Sequence, residues 1–109
     1  MSHFVSNKLK KIELGDGEYV EIPTDMSFED SRYLGTIKVT FSDEFDQTIQ
    51  MLLKFIKNWN LKDEDGKEVE LISENIERLK MPTLVKIQEE ILAIMGMEGK
   101  KKPEKESVS

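Results

Sequence analysis

The chain has 109 residues, with 16 Lys+Arg against 22 Asp+Glu for a formal net charge of −6, and it contains no cysteine. A length of this order gives one domain around one modest core. The missing thiols exclude disulfide frameworks and thiolate chemistry, and no stretch approaches the roughly 20 apolar residues of a membrane span. Without residues 98–109, which carry four lysines and three glutamates, the remainder holds 12 basic against 19 acidic residues, a net of −7. Such a body repels phosphate backbones, so nucleic acid is a poor partner. The opening MSHFVSNKLKK lacks the apolar region and small-residue cleavage site of a secretion signal, and the absence of cysteine makes a cytoplasm the simplest expectation.

In chain order, Lys10 to Ile22 reads as a β-hairpin. Ile12 and Leu14, then Val20 and Ile22, alternate with polar residues, and Gly15-Asp16-Gly17 supplies left-handed turn positions. Pro23 ends the second strand. Ser27 caps a short helix over Phe28 to Leu34 that Gly35 terminates, and Thr36 to Phe41 alternates as a further strand or a loop. A long helix follows from about Asp43 to Asn58, with Ser42 as its N-cap. Asp43, Glu44 and Asp46 in its first turn and Lys54 and Lys57 in its last turns complement the helix dipole. Trp59 to Leu71 reads as a second hairpin or an ordered excursion turning at Asp65-Gly66. Ser73 then caps a brief helix over Glu74 to Leu79, and Met81-Pro82 opens a final helix reaching about Met95, with Gly96 as its C-cap. From Glu98 onward the only apolar residue is Val108, the composition of a disordered tail. The expected architecture is α+β: an N-terminal β-hairpin and a small helical part with one long central helix, a short helix and a C-terminal helix. The domain spans 1–97 and the tail 98–109.

At about 100° per residue, Phe45, Ile49, Leu52, Ile56 and Trp59 form one stripe of the central helix, widened by Leu53, Met51 and Phe55. Leu84, Ile87, Ile91, Ile94 and Met95 form another on the last helix, flanked by Val85 and Leu92. Both arcs are wider than a surface helix needs. Either the helices are sandwiched in the core, or part of each arc is exposed as a groove or self-association face. Met51, Met81, Met95 and Met97 suit an adaptable binding surface, and equally suit core filling.

Catalytic patterns are missing from the sequence. His3 is the single histidine and lies near the chain start, so neither an acid/base nor a metal site can be built on histidine. Placing Gly66 at position six of an EF-hand loop puts Leu61 at position one and Ile72 at position twelve, neither of which ligates calcium. Asp43, Glu44 and Asp46, and Glu89 with Glu90, are spaced as solvated helix faces. There is no P-loop, GxGxxG or GxSxG pattern. No enzyme activity, cofactor or metal is expected.

The stretch from Trp59 to Leu92 carries a Trp, an acidic turn Asp63 to Gly66, a short apolar strand Val69 to Leu71, a helix start at Ser73 and a break at Met81-Pro82. In this order of features it resembles the tail assembly chaperones of long-tailed bacteriophages and prophages. The resemblance covers about a third of the chain specifically. It implies a non-catalytic protein of the host bacterial cytoplasm that coats the long helical tape-measure protein before the tail tube polymerises, with self-association into a homo-oligomer as a further family trait. Some members also have a longer form made by frameshifting, for which Gly99 to Lys102 is the candidate region. On that reading Met51, Phe55, Trp59, Ile87, Ile91 and Ile94 are the partner-contact residues, each equally able to serve as core. The alternatives are a small structural tail-completion or connector subunit, and an acidic regulator that mimics nucleic acid. The carboxylates of a mimic would be evenly spaced, whereas here Lys54, Lys57 and Lys86 interrupt them.

Overall fold

The computed structural model describes residues 3–95, and the fold is α+β. The expected tail at 98–109, the Gly96 cap, Met97 and the Gly99–Lys102 region lie outside the described residues. Two strands, β1 (Leu9–Gly15) and β2 (Glu18–Pro23), form the expected antiparallel hairpin. Its turn is built from Gly15, Asp16 and Gly17 at φ 103°, 55° and 79°. Three consecutive left-handed positions are why two of the three are glycine. Register pairs Ile12 with Val20 and Lys10 with Ile22, so Ile12, Val20 and Ile22 share the buried face. Lys11, Glu13, Tyr19 and Glu21 share the other, where the Lys11 ammonium lies 4.3 Å from the Tyr19 ring centre.

The next helix, α1 (Phe28–Thr40), departs from expectation. It opens as predicted at Ser27 with a full capping box: the Asp30 N–H donates to Ser27 Oγ (3.1 Å) and the Ser27 N–H to Asp30 Oδ2 (3.2 Å). It then runs through Gly35 and absorbs the strand expected at Thr36 to Phe41. The alternation of Ile37, Val39 and Phe41 is not a strand face, because Ile37 is buried while Val39 is 87% exposed. Leu34 and Ile37 instead fall at i and i+3 on one helical face, and Phe41 is the extended residue that caps the helix end. Gly35 does not stop the helix: it is exposed, and a Cβ there would meet nothing within 4 Å. Gly35→Ala should therefore stabilise the protein by about 0.5–1 kcal/mol, a rise of a few degrees in Tm; a fall would show that the helix is not continuous there.

The central helix, α2 (Glu44–Phe55), starts one residue later than expected, with Asp43 rather than Ser42 as N-cap; Asp43 Oδ1 accepts from the Phe45 N–H at 2.7 Å. It also ends three residues early. Ile56 turns extended, and Asn58–Trp59 forms a third strand, β3, pairing Glu21 with Asn58 and Val20 with Trp59. The flanking Lys57 N–H to Glu21 O (2.8 Å) and Asn60 N–H to Tyr19 O (3.2 Å) extend that contact. The sheet order is β1-β2-β3. Trp59 is thus a strand residue, and its indole N–H donates to Val69 O at 2.8 Å. The excursion between them is ordered as expected, with a bridge between Lys62 and Glu68 and with Gly66 at φ 83°. Asp63 Oδ1 accepts from the N–H groups of Asp65 and Lys67.

Two further helices complete the described chain, α3 (Ser73–Ile76) and α4 (Met81–Ile94). The α3 N-cap is Ile72, without a side-chain cap bond, so Ser73 is not the cap; Pro82 does sit in the first turn of α4. One core joins Ile12, Val20 and Ile22 of the sheet to Leu52, Phe55 and Ile56, to Leu61 and Ile76, and to Ile87 and Ile91 of α4. Fully burying each such side chain contributes roughly 1.5–3 kcal/mol. Helix α4 lies along β1, where Lys10 meets Glu90 at 2.6 Å and Lys86 Nζ donates to Glu13 O at 3.0 Å. Ile37 is buried outside this core. Helix α1 is tied to α2 by Asp30 and Lys54 (3.6 Å), with Lys54 also 5.0 Å from the Tyr33 ring centre. Burial pushes the Asp30 carboxyl up, but the hydrogen bonds of Ser27 and the nearby Lys54 ammonium outweigh it and hold it below the usual carboxylate range. A lowered pKa stabilises the fold at neutral pH, and that contribution is lost as pH falls through the folded-state value.

Candidate binding groove

The six residues expected to contact a partner do not come together on one surface. Phe55 is 1% exposed, and Ile87 and Ile91 are fully buried, so these three are corrected to core residues. Their physical role is to fill the space between sheet, α2 and α4, the sandwiched arrangement that broad apolar arcs also allow. Met51 and Ile94 are half-buried, and Met51 packs against the core. Trp59 is half-buried in β3 with its N–H already used. It lines a shallow depression of about 370 Å³ with Lys57, Asn58, Glu68, Val69, Glu70 and Leu71.

The larger concavity lies elsewhere, between the first turns of α2 and α4, with α3 and the residues just after it as its floor. It encloses about 630 Å³. From α2 it takes Phe45, Thr48 and Ile49; from α4 it takes Met81, Leu84 and Gln88; Ile76 and Leu79 complete its apolar lining. Phe45 is 79% exposed and Met81 64%. Both helices are therefore buried along their later turns and uncovered at their starts. From Met81 to Gln88 the exposed length is about 10 Å, two helical turns.

The rim is acidic. Asp43, Glu44, Asp46 and Glu77 line the groove, and no Lys, Arg or His does. None of the four belongs to an ion pair among the described residues. The α2 helix explains part of this arrangement, since carboxylates in a first turn are favoured by the dipole and Asp43 spends one oxygen on the cap. Glu77 has no such reason to be there. Arg78 and Lys80 flank Leu79 in the chain but do not line the groove; an apolar floor bordered by four carboxylates outside any ion pair suits the binding of an apolar, positively flanked segment.

No protein-family model matches this chain. No curated protein or solved structure is significantly similar to it either. The groove is thus assigned from its own chemistry. Among the described residues, no buried side-chain nitrogen or oxygen lacks a hydrogen-bond partner, and no group of three or more His, Asp or Glu is placed to hold a metal ion. No helix among them is long and apolar enough to cross a membrane.

Two signals in the sequence pointed toward the groove: Phe45 at the head of the central apolar stripe, and Met81 among the methionines suited to adaptable surfaces. Glu77 and Leu79 carried no signal, because their position depends on the path of the link between α3 and α4.

Proposed function

We propose that this protein is a non-catalytic assembly chaperone of the phage tail-assembly kind, acting in the bacterial host cytoplasm. It holds an apolar stretch of the tape-measure protein in the groove between the starts of α2 and α4. The observation that carries this reading is the uncovered apolar lining itself, with Phe45 and Met81 more than half exposed at the mouth of a concavity of about 630 Å³. Large side chains left in water around a groove favour a partner that covers them. The resemblance in Trp59 to Leu92 supports the choice of partner, and the acidic body supports solubility in a protein that handles apolar surface.

The test is co-expression with the long helical tape-measure protein encoded in the same gene cluster. The expected result is that the otherwise insoluble partner becomes soluble and co-purifies with this chain, and that assembled tails lack the chain. A partner that stays insoluble, or a chain retained in finished particles as a structural subunit, would contradict the proposal.

A further inference from the structure

We infer that the segment seated in the groove is an amphipathic helix whose apolar stripe is flanked by lysine or arginine. This rests on the reading of the groove as the partner site and names the chemistry of what enters it. Three observations lead there. The groove is walled by the starts of two helices, α2 and α4, and an amphipathic helix laid against helix ridges is a recurring way to fill such a groove. Its apolar contacts recur at helical spacing on both walls: Phe45 with Ile49, and Met81 with Leu84. A partner stripe at i, i+3 or i+4, and i+7 would meet them.

The third observation is charge. Asp43, Glu44, Asp46 and Glu77 border the apolar lining on more than one element, with no basic side chain among the lining residues. The ion pairs among the described residues, Lys10 with Glu90 and Lys54 with Asp30, involve none of them. An entering helix with acidic flanks would bring like charges together at the edge of a low-dielectric patch, whereas lysine or arginine flanks would neutralise the rim. The uneven border thus selects among apolar helices by their flanks.

The experiment uses the full chain and three synthetic helical peptides that share one leucine/isoleucine stripe and differ only in lysine, glutamine or glutamate flanks. Titration by fluorescence anisotropy should show the lysine peptide binding about tenfold or more tighter than the glutamine peptide, with the glutamate peptide weakest. That gap should narrow as salt rises from 0.05 to 0.5 M, because exposed charges are screened over about 10 Å at 0.1 M. In the triple variant Glu44→Gln, Asp46→Asn, Glu77→Gln, which leaves the Asp43 cap in place, the ratio of lysine- to glutamine-peptide affinity should fall several-fold, to the part that Asp43 alone supports.

Equal binding of lysine- and glutamate-flanked peptides, or a preference undiminished in the triple variant, would overturn the charge inference and leave the groove reading standing. Failure of all three peptides would overturn both. So would a chain that dimerises through the groove and excludes the peptides, since the occupant would then be a second copy.

Discussion

Replacing Phe55 with alanine should destabilise the protein by about 3–5 kcal/mol, and replacing it with glutamate should abolish its cooperative unfolding transition. Phe55 is 1% exposed and belongs to the core that joins all three structural layers: the sheet through Val20 and Ile22, α2 itself, and α4 through Ile87 and Ile91. Alanine would leave a cavity that the sheet and α4 have to collapse around. Glutamate would bury a carboxylate with no cation beside it, and the fold has only about 5–15 kcal/mol in total to set against that. Urea titration followed by circular dichroism measures both variants. A folded Phe55→Glu protein with its stability intact would place this side chain at the surface and restore it as a contact residue.

The same substitution ten residues earlier on the same helix should have the opposite outcome. Phe45→Glu should leave Tm within about 2 °C of the parent, because Phe45 is 79% exposed and a carboxylate in the first turn of α2 is favoured by the helix dipole. Its effect should fall on binding. Large aromatic side chains at the centre of an interface carry a disproportionate share of its energy, with losses of about 2 kcal/mol or more on truncation. The variant should therefore keep its fold and lose partner capture, and Met81→Glu should behave alike. A Phe45→Glu protein that holds the partner as tightly as the parent would move the binding surface away from the groove.

These two substitutions also show how far the sequence could be read. Periodicity placed Phe45 and Phe55 in the same broad apolar arc, since it reports the angle around a helix axis. Coverage, however, changes along the axis: α2 is open at its start and closed by the sheet at its end. The same holds for Met81 against Ile91 on α4. Local chemistry was legible wherever it decided the structure by itself: the left-handed turn at Gly15 to Gly17, the Ser27 cap, Gly66, and Pro82 at the head of α4. It misled where tertiary packing won. The residues from Thr36 to Phe41 alternate and include five β-branched or aromatic side chains, yet α1 continues through them as far as Thr40 and buries Ile37. Ile56 and Trp59 fit the helical stripe, yet pairing with β2 takes Asn58 and Trp59 into the sheet. The groove was only half legible, because Glu77 and Leu79 reach it through a link whose path no local pattern encodes.

The claim that a partner sits between the starts of α2 and α4 is tested most directly by hydrogen–deuterium exchange of the chain alone and in the co-purified complex. First-turn amides of a helix have no intrahelical acceptor and exchange readily in the free protein, so a partner that covers them leaves a clear mark. Strong new protection is predicted over residues 43–49 and 76–88, with the outer face of the β1–β2 hairpin unchanged. Protection confined to the depression around Trp59, with the two helix starts still exchanging freely, would contradict the account.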